Sequence, residues 1–254
     1  MYRPTVHRLI PGAAVLLAGA LPAAAQTALP KISIGLDRAS SPQDLSVTLQ
    51  ILLLMTVLTL APSILVMMTS FTRIVLVLHF LRQALGTQNM PPNQVVLGLA
   101  LFLTLFVMSP TIDRIRDNAW VPLQEERITT PEALSSAGTE LKSFMLAQTR
   151  EKDLALFVNM AGMTKPDAVQ DLPLKVVIPA FIISEMRIGF QIGFLIYLPF
   201  LIIDMVVASV LMSMGMMMLP PVMISLPFKL LLFVLVDGWY LMVQSLVEGF
   251  ARVP

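Results

Sequence analysis

The chain has 254 residues, 56% of them hydrophobic and 13% charged, with a mean hydropathy of +0.80 and a formal net charge of +1. A soluble domain carries about 45–50% apolar and about 25% charged residues, so the composition points to a membrane protein or to one buried among partners. The small net charge gives no basic surface for nucleic acid. The absence of cysteine excludes disulfides, thiolate metal sites and cysteine nucleophiles, and no metal or other cofactor is expected.

Residues 1–25 read as a cleavable signal peptide. Arg3 and Arg8 supply the positive start, Ile10 to Leu21 a short apolar stretch, and Ala23-Ala24-Ala25 a small-residue site with cleavage after Ala25. The alternative, an uncleaved first membrane helix, has a short apolar run for that purpose. Residues 26–44 form a polar extracytoplasmic lead-in. Residues 45–110 make a first hydrophobic helical pair: Leu45 to Met68 is long enough to span and is interrupted only by Pro62. Ser70-Phe71-Thr72-Arg73 punctuates it, and Ile74 to Leu85 continues helically. Gly86 to Asn93 (GTQNMPPN) is a turn. Val95 to Met108 is a shorter apolar run, ended by Ser109-Pro110.

Residues 111–175 differ in kind, with eight Lys/Arg and ten Asp/Glu. They read as a polar extracytoplasmic helical subdomain, with Thr130 as N-cap, Pro131 at the first helical position, and Leu154 to Met160 as the apolar side of a short amphipathic helix. A mobile loop is the alternative. Residues 176–254 form a second hydrophobic helical pair, divided at Pro220-Pro221. Four spans with an external N-terminus put 111–175 outside and the 70–92 connection, with Arg73 and Arg82, inside, as the positive-inside rule prefers.

Glu185, Arg187, Gln191, Asp204, Lys229 and Asp237 all interrupt apolar stretches. A charge at the bilayer centre costs about 2.5–3.5 kcal/mol on insertion scales, so these groups must meet partners, water or other subunits. Glu185, Gly189 and Gly193 recur every four residues on one helix face, where a GxxxG spacing allows close approach. Arg187 and Gln191 lie on a roughly opposite face, so that helix needs neighbours on both sides. Lys229, Phe233 and Asp237 fall on one side of the last segment, with flanking charge near helix ends as the plainer reading. Catalysis is not expected: the one histidine of the mature chain, His79, is embedded in LVLHFLRQ, and no metalloprotease or phosphate-cradle motif appears.

Three blocks carry a family resemblance. MMTSFTRIVLVLHFLRQALGTQNMPPNQVVLGLALFLTLFVMSP (Met67 to Pro110), PAFIISEMRIGFQIGF (Pro179 to Phe194) and MGMMMLPPVMISLPFKLLLFVLVDGW (Met214 to Trp239) resemble the signatures of the FliP family of type III export-gate proteins. Met186 stands where Leu or Ile is usual, and Pro221 where Ser is commoner. The virulence-secretion relatives share the blocks, but the cleavable signal and the long 111–175 region look more like the flagellar branch. The resemblance implies an all-helical subunit of hairpin-like helices that assembles into a ring or funnel. It further implies a homopentamer with FliQ and FliR among the other export-apparatus membrane proteins, passing unfolded protein substrates out of the cell. Its place would be the inner membrane within the flagellar basal body, with part of the subunit above the bilayer. By position, Met216, Met217 and Met218 would form the ring that seals the closed pore.

Three readings of that methionine triplet compete. As a gasket, flexible thioethers close an apolar ring and repack around passing chains, with Gly215, Pro220 and Pro221 holding them on a non-helical loop. As a soft-metal site the triplet would select Cu(I), which the lack of nearby His and Cys weakens. As core filler it would sit within a helix, which the adjacent helix breakers oppose. At the level of the whole protein the rivals are an ion channel or transporter, with Glu185 and Asp204 as its ionisable groups, and a purely structural scaffold.

Overall fold

A computed structural model describes residues 42–87, 90–163, 168–216 and 218–251; the expected signal peptide (1–25) lies outside the described residues. The chain divides into two units after Gln50. Of the first unit the described part is the opening of one helix, and the second holds the elements below. Every regular element among the described residues is helical.

The first helix, α1 (Pro42–Met67), is apolar all round, and Leu52, Leu53, Leu54 and Leu58 are each more than half exposed. A helix without a polar face is one built for lipid or for burial by partners. Its Thr56 and Thr59 hydroxyls donate 2.8 Å bonds to the Leu52 and Met55 carbonyls, so they leave no polar atom unanswered. The Thr69 hydroxyl then donates to the Val66 carbonyl at 2.8 Å, and the chain turns into α2 (Phe71–Leu85). Gly86 closes α2 in the left-handed conformation, φ 73°, with its N–H on the Gln83 carbonyl, so the expected turn does begin there.

α3 (Asn93–Ile115) runs through Pro110, where the sequence suggested a stop. Proline cannot give an N–H to the Phe106 carbonyl, but the Ser109 hydroxyl donates to that oxygen instead, at 2.9 Å. A π turn (Arg116–Trp120) and α4 (Val121–Gln124) extend the run to 32 residues, Asn93–Gln124. The described part of the charged region is largely helical. α5 (Thr130–Gln148) starts one residue earlier than expected, on Thr129, because Glu132 reaches back: its carboxylate accepts from the Thr129 N–H at 2.8 Å and hydroxyl at 2.9 Å. These two bonds hold the Glu132 carboxyl below its ordinary range. α6 (Glu151–Met160) follows, carrying the anticipated Leu154–Met160 stretch.

α7 (Leu174–Ser213) is the axis. Its 40 residues contain Pro179 and Pro199, and it packs in succession against α5, α6 and α2, and then against α8 (Pro221–Leu235). The core lies where α2, α5 and α7 meet: Ile74, Val77 and Leu81 from α2, Met145 from α5, and Val177 and Phe181 from α7 are all fully buried. Each side chain of that size contributes about 1.5–3 kcal/mol by leaving water. α9 (Gly238–Ala251) meets α8 at a 63° bend. By length and composition, Asn93–Gln124 and Leu174–Ser213 can each cross a membrane, and the bent α8–α9 pair passes only as a single broken span. The described apolar part of α1, Leu49–Ile64, is shorter.

The GxxxG spacing works within the chain. A methyl on Gly189 would stand 3.1 Å from the Leu76 side chain, and one on Gly193 would overlap the base of the Phe80 side chain. Phe80 in turn stacks edge-on against Phe190, with centroids 5.2 Å apart. We therefore expect Gly193→Ala to destabilise the α2–α7 contact by about 1–3 kcal/mol, the usual cost of overpacking. Phe80→Ala in the same chain should restore part of it. Thermal unfolding of the detergent-extracted chain checks this, and strictly additive effects of the two substitutions would exclude the close approach.

Candidate functional site

The segment between α7 and α8 is built from both ends by backbone chemistry. At the end of α7, Met214 is the C-cap and Gly215 takes φ +74°. The Met216 N–H returns to the Leu211 carbonyl at 3.0 Å and the Gly215 N–H to the Met212 carbonyl at 3.1 Å. This pair of bonds is the Schellman arrangement, which a left-handed glycine permits. On the other side, Pro220 is the N-cap and Pro221 the first residue of α8, where a missing N–H costs nothing. Residues 214–216 and 218–220 are thus non-helical, between a fixed entry and a fixed exit.

On that segment the methionines face outward. Met212, Met214 and Met216 are exposed and Met218 is 98% exposed; Met217 lies outside the described residues. Below them the adjoining faces of α7 and α8 form an apolar groove lined by Val206, Val210, Ile224 and Phe228. Among the described residues no cluster of His, Cys, Asp or Glu could hold a metal ion.

Two buried charge pairs anchor the helices that carry this segment. Glu185, fully buried on α7, accepts from Arg73 of α2, with Nε on Oε2 at 2.9 Å and Nη2 on Oε1. Arg73 Nη2 also donates to Gln148 Oε1 of α5 at 3.2 Å, and its guanidinium lies 3.9 Å above the Phe250 ring of α9. Gln148 closes the cluster by donating to the Phe250 carbonyl at 3.1 Å. Further along α7, Asp204 accepts from Lys229 Nζ at 2.6 Å and from the Ser225 hydroxyl at 2.5 Å, both on α8. Lys229 is buried, while the Asp204 side chain is 20% exposed.

These placements revise the sequence reading. Glu185 and Lys229 find their counterions inside the chain, among the partners, water and other subunits that the sequence left open. Lys229 belongs with Ser225 and Phe233, both buried, whereas Asp237 leaves that face because α8 stops at Leu235 and Asp237 adopts φ 51°. Asp is one of the few residues that tolerates this conformation. The glycine that follows is required too, since a Cβ on Gly238 would overlap the Phe233 ring. Arg187 and Gln191 are exposed on α7, opposite the buried Glu185–Gly189–Gly193 face. Arg73 and Gln148 were missed as site residues; the available signal was that Arg73 shares a helical face with Val77 and Leu81.

A third polar contact lies one residue before Glu185. The Ser184 hydroxyl donates to Asp153 Oδ2 at 2.7 Å, Arg150 Nε donates to the same oxygen at 2.9 Å, and the Arg150 N–H donates to Ser184 Oγ at 3.1 Å. Burial alone would raise the Asp153 carboxyl, but the bonds from Ser184 and Arg150, with the charges of Arg150 and Arg187, bring it below its ordinary range.

A buried pair is weak in net terms, yet removing one member strands a charge, at roughly 3–5 kcal/mol. Glu185→Gln should therefore cost about that much, Glu185→Leu with Arg73→Met should recover most of it, and Asp204→Asn should cost less because Asp204 reaches the surface. Heat-induced loss of the extracted chain gives the ranking. For Asp153 the sign follows from its lowered folded value: its stabilisation is complete above the unfolded range, about pH 4, and is lost as pH falls through the folded value. Amide-exchange protection factors in α6, corrected for the intrinsic pH dependence of exchange, should fall below about pH 4, and Asp153→Asn should remove that dependence.

Comparison with known proteins shows the family. Residues 54–246 match the model of the FliP family. The flagellar biosynthetic protein FliP of Bacillus subtilis is 60% identical over 217 residues, covering 85% of this chain and 98% of the relative. The protein of the same name from Caulobacter vibrioides is 57% identical over 203 residues, 80% of this chain and 76% of the relative. That from Pectobacterium carotovorum is 53% identical over 208 residues, 82% of this chain and 81% of the relative. The chain belongs to the FliP family.

Proposed function

We propose that this chain is a core subunit of the flagellar type III protein export gate. In this reading it forms a homopentamer, joins FliQ and FliR and other membrane proteins of the export apparatus, and sits in the inner membrane within the basal body. The assembled ring lines the pore through which unfolded flagellar subunits leave, and the chain does no catalysis. The relatives are flagellar biosynthetic proteins by name, which supports the flagellar branch over virulence secretion. The apolar helices suit a membrane location.

The observation that carries the gate reading is the outward methionine segment. Met218 at 98% exposure has no role in the packing of its own chain, yet the segment that presents it is fixed by a Schellman turn on one side and two prolines on the other. Repeated by symmetry, such segments place thioethers around one axis. An apolar ring blocks ions by dewetting, and unbranched thioethers can then re-form the seal around side chains of different shape. The ion-transporter reading loses its candidate groups, because Glu185 and Asp204 are both committed to cations within the chain.

The helix lengths favour an assembly that rises beyond the lipid. At 1.5 Å per residue α7 is about 60 Å long, twice the roughly 30 Å hydrocarbon core. Its first half is packed by α5 and α6, which belong to the charged region. In cells making the full set of gate proteins, replacing Met216, Met217 and Met218 with Ala should raise ion leakage across the membrane and alter flagellar export. Unchanged leakage together with unchanged export would refute the seal.

A further inference from the structure

We propose that the cleft between the end of α2 and the start of α3 binds an anionic phospholipid. Arg82 would receive the headgroup phosphate, and the apolar cleft the upper part of an acyl chain. The cleft encloses about 240 Å³ and is almost entirely apolar. Its floor is Leu81 and Leu85 of α2 and Val96 of α3, all buried, and its walls include Leu99 and the half-exposed Trp239 of α9, with Arg82 at the rim.

The charge at the rim is what selects the occupant. Arg82 Nη1 donates to Asn93 Oδ1 at 2.6 Å and to the Pro91 carbonyl at 3.4 Å, and Nη2 lies 3.3 Å from His79 Nδ1. The Asn93 amide and the Pro91 carbonyl orient the guanidinium without neutralising it, and among the described residues no carboxylate pairs with it. The contrast with Arg73 and Lys229, each answered by an acid, is direct. A guanidinium has five donors in a planar fork suited to phosphate oxygens, and three of its donor directions are accounted for here. α3 starts at Asn93, so the positive end of its dipole adds to the same field.

Depth points the same way. Asn93 opens the 32-residue run that by length and composition can cross a membrane; with that end at the lipid boundary, Arg82 would stand at the level of headgroups and Val96 and Leu99 at the first methylenes. Trp239 beside the cleft is the residue type that favours that boundary. Basic pockets between membrane helices are a recurrent way of holding acidic headgroups. The proposal stands independently of the export reading.

Trp120 and Trp239 are the two tryptophans of the chain, so Trp120→Phe leaves Trp239 as a single probe at the cleft. The full chain in that background would be placed in phosphatidylcholine vesicles containing equal fractions of acyl-brominated phosphatidylglycerol or acyl-brominated phosphatidylcholine. The brominated anionic lipid should associate with the Trp239 site about fivefold more strongly, the scale of one cation at a lipid surface. Arg82→Gln should bring that ratio to about one, and Val96→Phe, which fills the floor and spares the cation, should lower quenching by the anionic lipid. Circular dichroism checks that each variant is folded. Equal quenching by both lipids in the parent background, or an anionic preference that survives both substitutions, would overturn the proposal. So would the absence of quenching by either lipid, the result expected if a second copy of the chain covers the cleft.

Discussion

A guanidinium placed in an apolar helix must be answered within the reach of its own side chain, and this requirement organises the molecule. Arg73 is 3% exposed and draws a carboxylate from α7, an amide from α5 and an aromatic face from α9 to one point. The net free energy of such a cluster is modest, because desolvation of two ions offsets most of their attraction. Its effect lies in exclusion. Any packing of α2 against α7 that separates Arg73 from Glu185 strands two charges, whereas a sliding error between purely apolar faces costs only imperfect contact. The register set at Glu185 then carries along α7, bringing Gly189 to Leu76 and Gly193 to Phe80 one and two turns later.

Downstream, the same logic repeats with a looser pair. Asp204 and Lys229 fix α8 to the far half of α7, but Asp204 keeps a path to the surface that Glu185 lacks. The methionine segment lies beyond this second pair and is connected to both helices it joins. A segment of exposed, flexible side chains can hold a defined position only if its two ends do, and here the ends are fixed by hydrogen bonds and by proline rather than by packing of the methionines themselves. Rigidity and softness are thereby separated in sequence: the helices on either side keep register, and Met214, Met216 and Met218 between them are exposed thioethers.

Much of this was legible from periodicity and breaker chemistry. The four-residue recurrence of Glu185, Gly189 and Gly193 identified a buried, closely approached face, and Gly86, Gly215 and Pro220-Pro221 marked breaks that the structure has. What sequence left open or misplaced were details that depend on side-chain reach, whether to a near residue or a distant one. For Glu185 the sequence left partners, water and other subunits open; Arg187, two residues on, lies on another face, and the counterion Glu185 meets lies 112 residues away. Pro110 was read as a stop because its cost is local and visible, while its remedy, the hydroxyl of Ser109 turned back to Phe106, is a rotamer that sequence does not display. The helix start at Thr129 was misplaced by one residue because two adjacent threonines can each cap, and only the reach of Glu132 decides between them.

The exposed apolar surface has a consequence for what counts as the folded unit. α1 is exposed from Leu49 to Leu60, the outer face of α3 presents Phe102 and Phe106, and both α7 and α8 carry exposed Leu, Val and Met along their lengths. Monomeric soluble proteins rarely expose contiguous apolar patches beyond a few hundred Å², so these surfaces require lipid or protein cover. Lipid can cover the middle of α1 at little cost, since the Thr56 and Thr59 hydroxyls are satisfied within the helix. It cannot serve α7 over its full length, because about 60 Å of helix exceeds any hydrocarbon core. The excess is covered in part by α5 and α6 of the same chain, and because Glu185, Asp204 and Lys229 are satisfied internally, any further cover need supply shape and apolar contact and no counterion for these three.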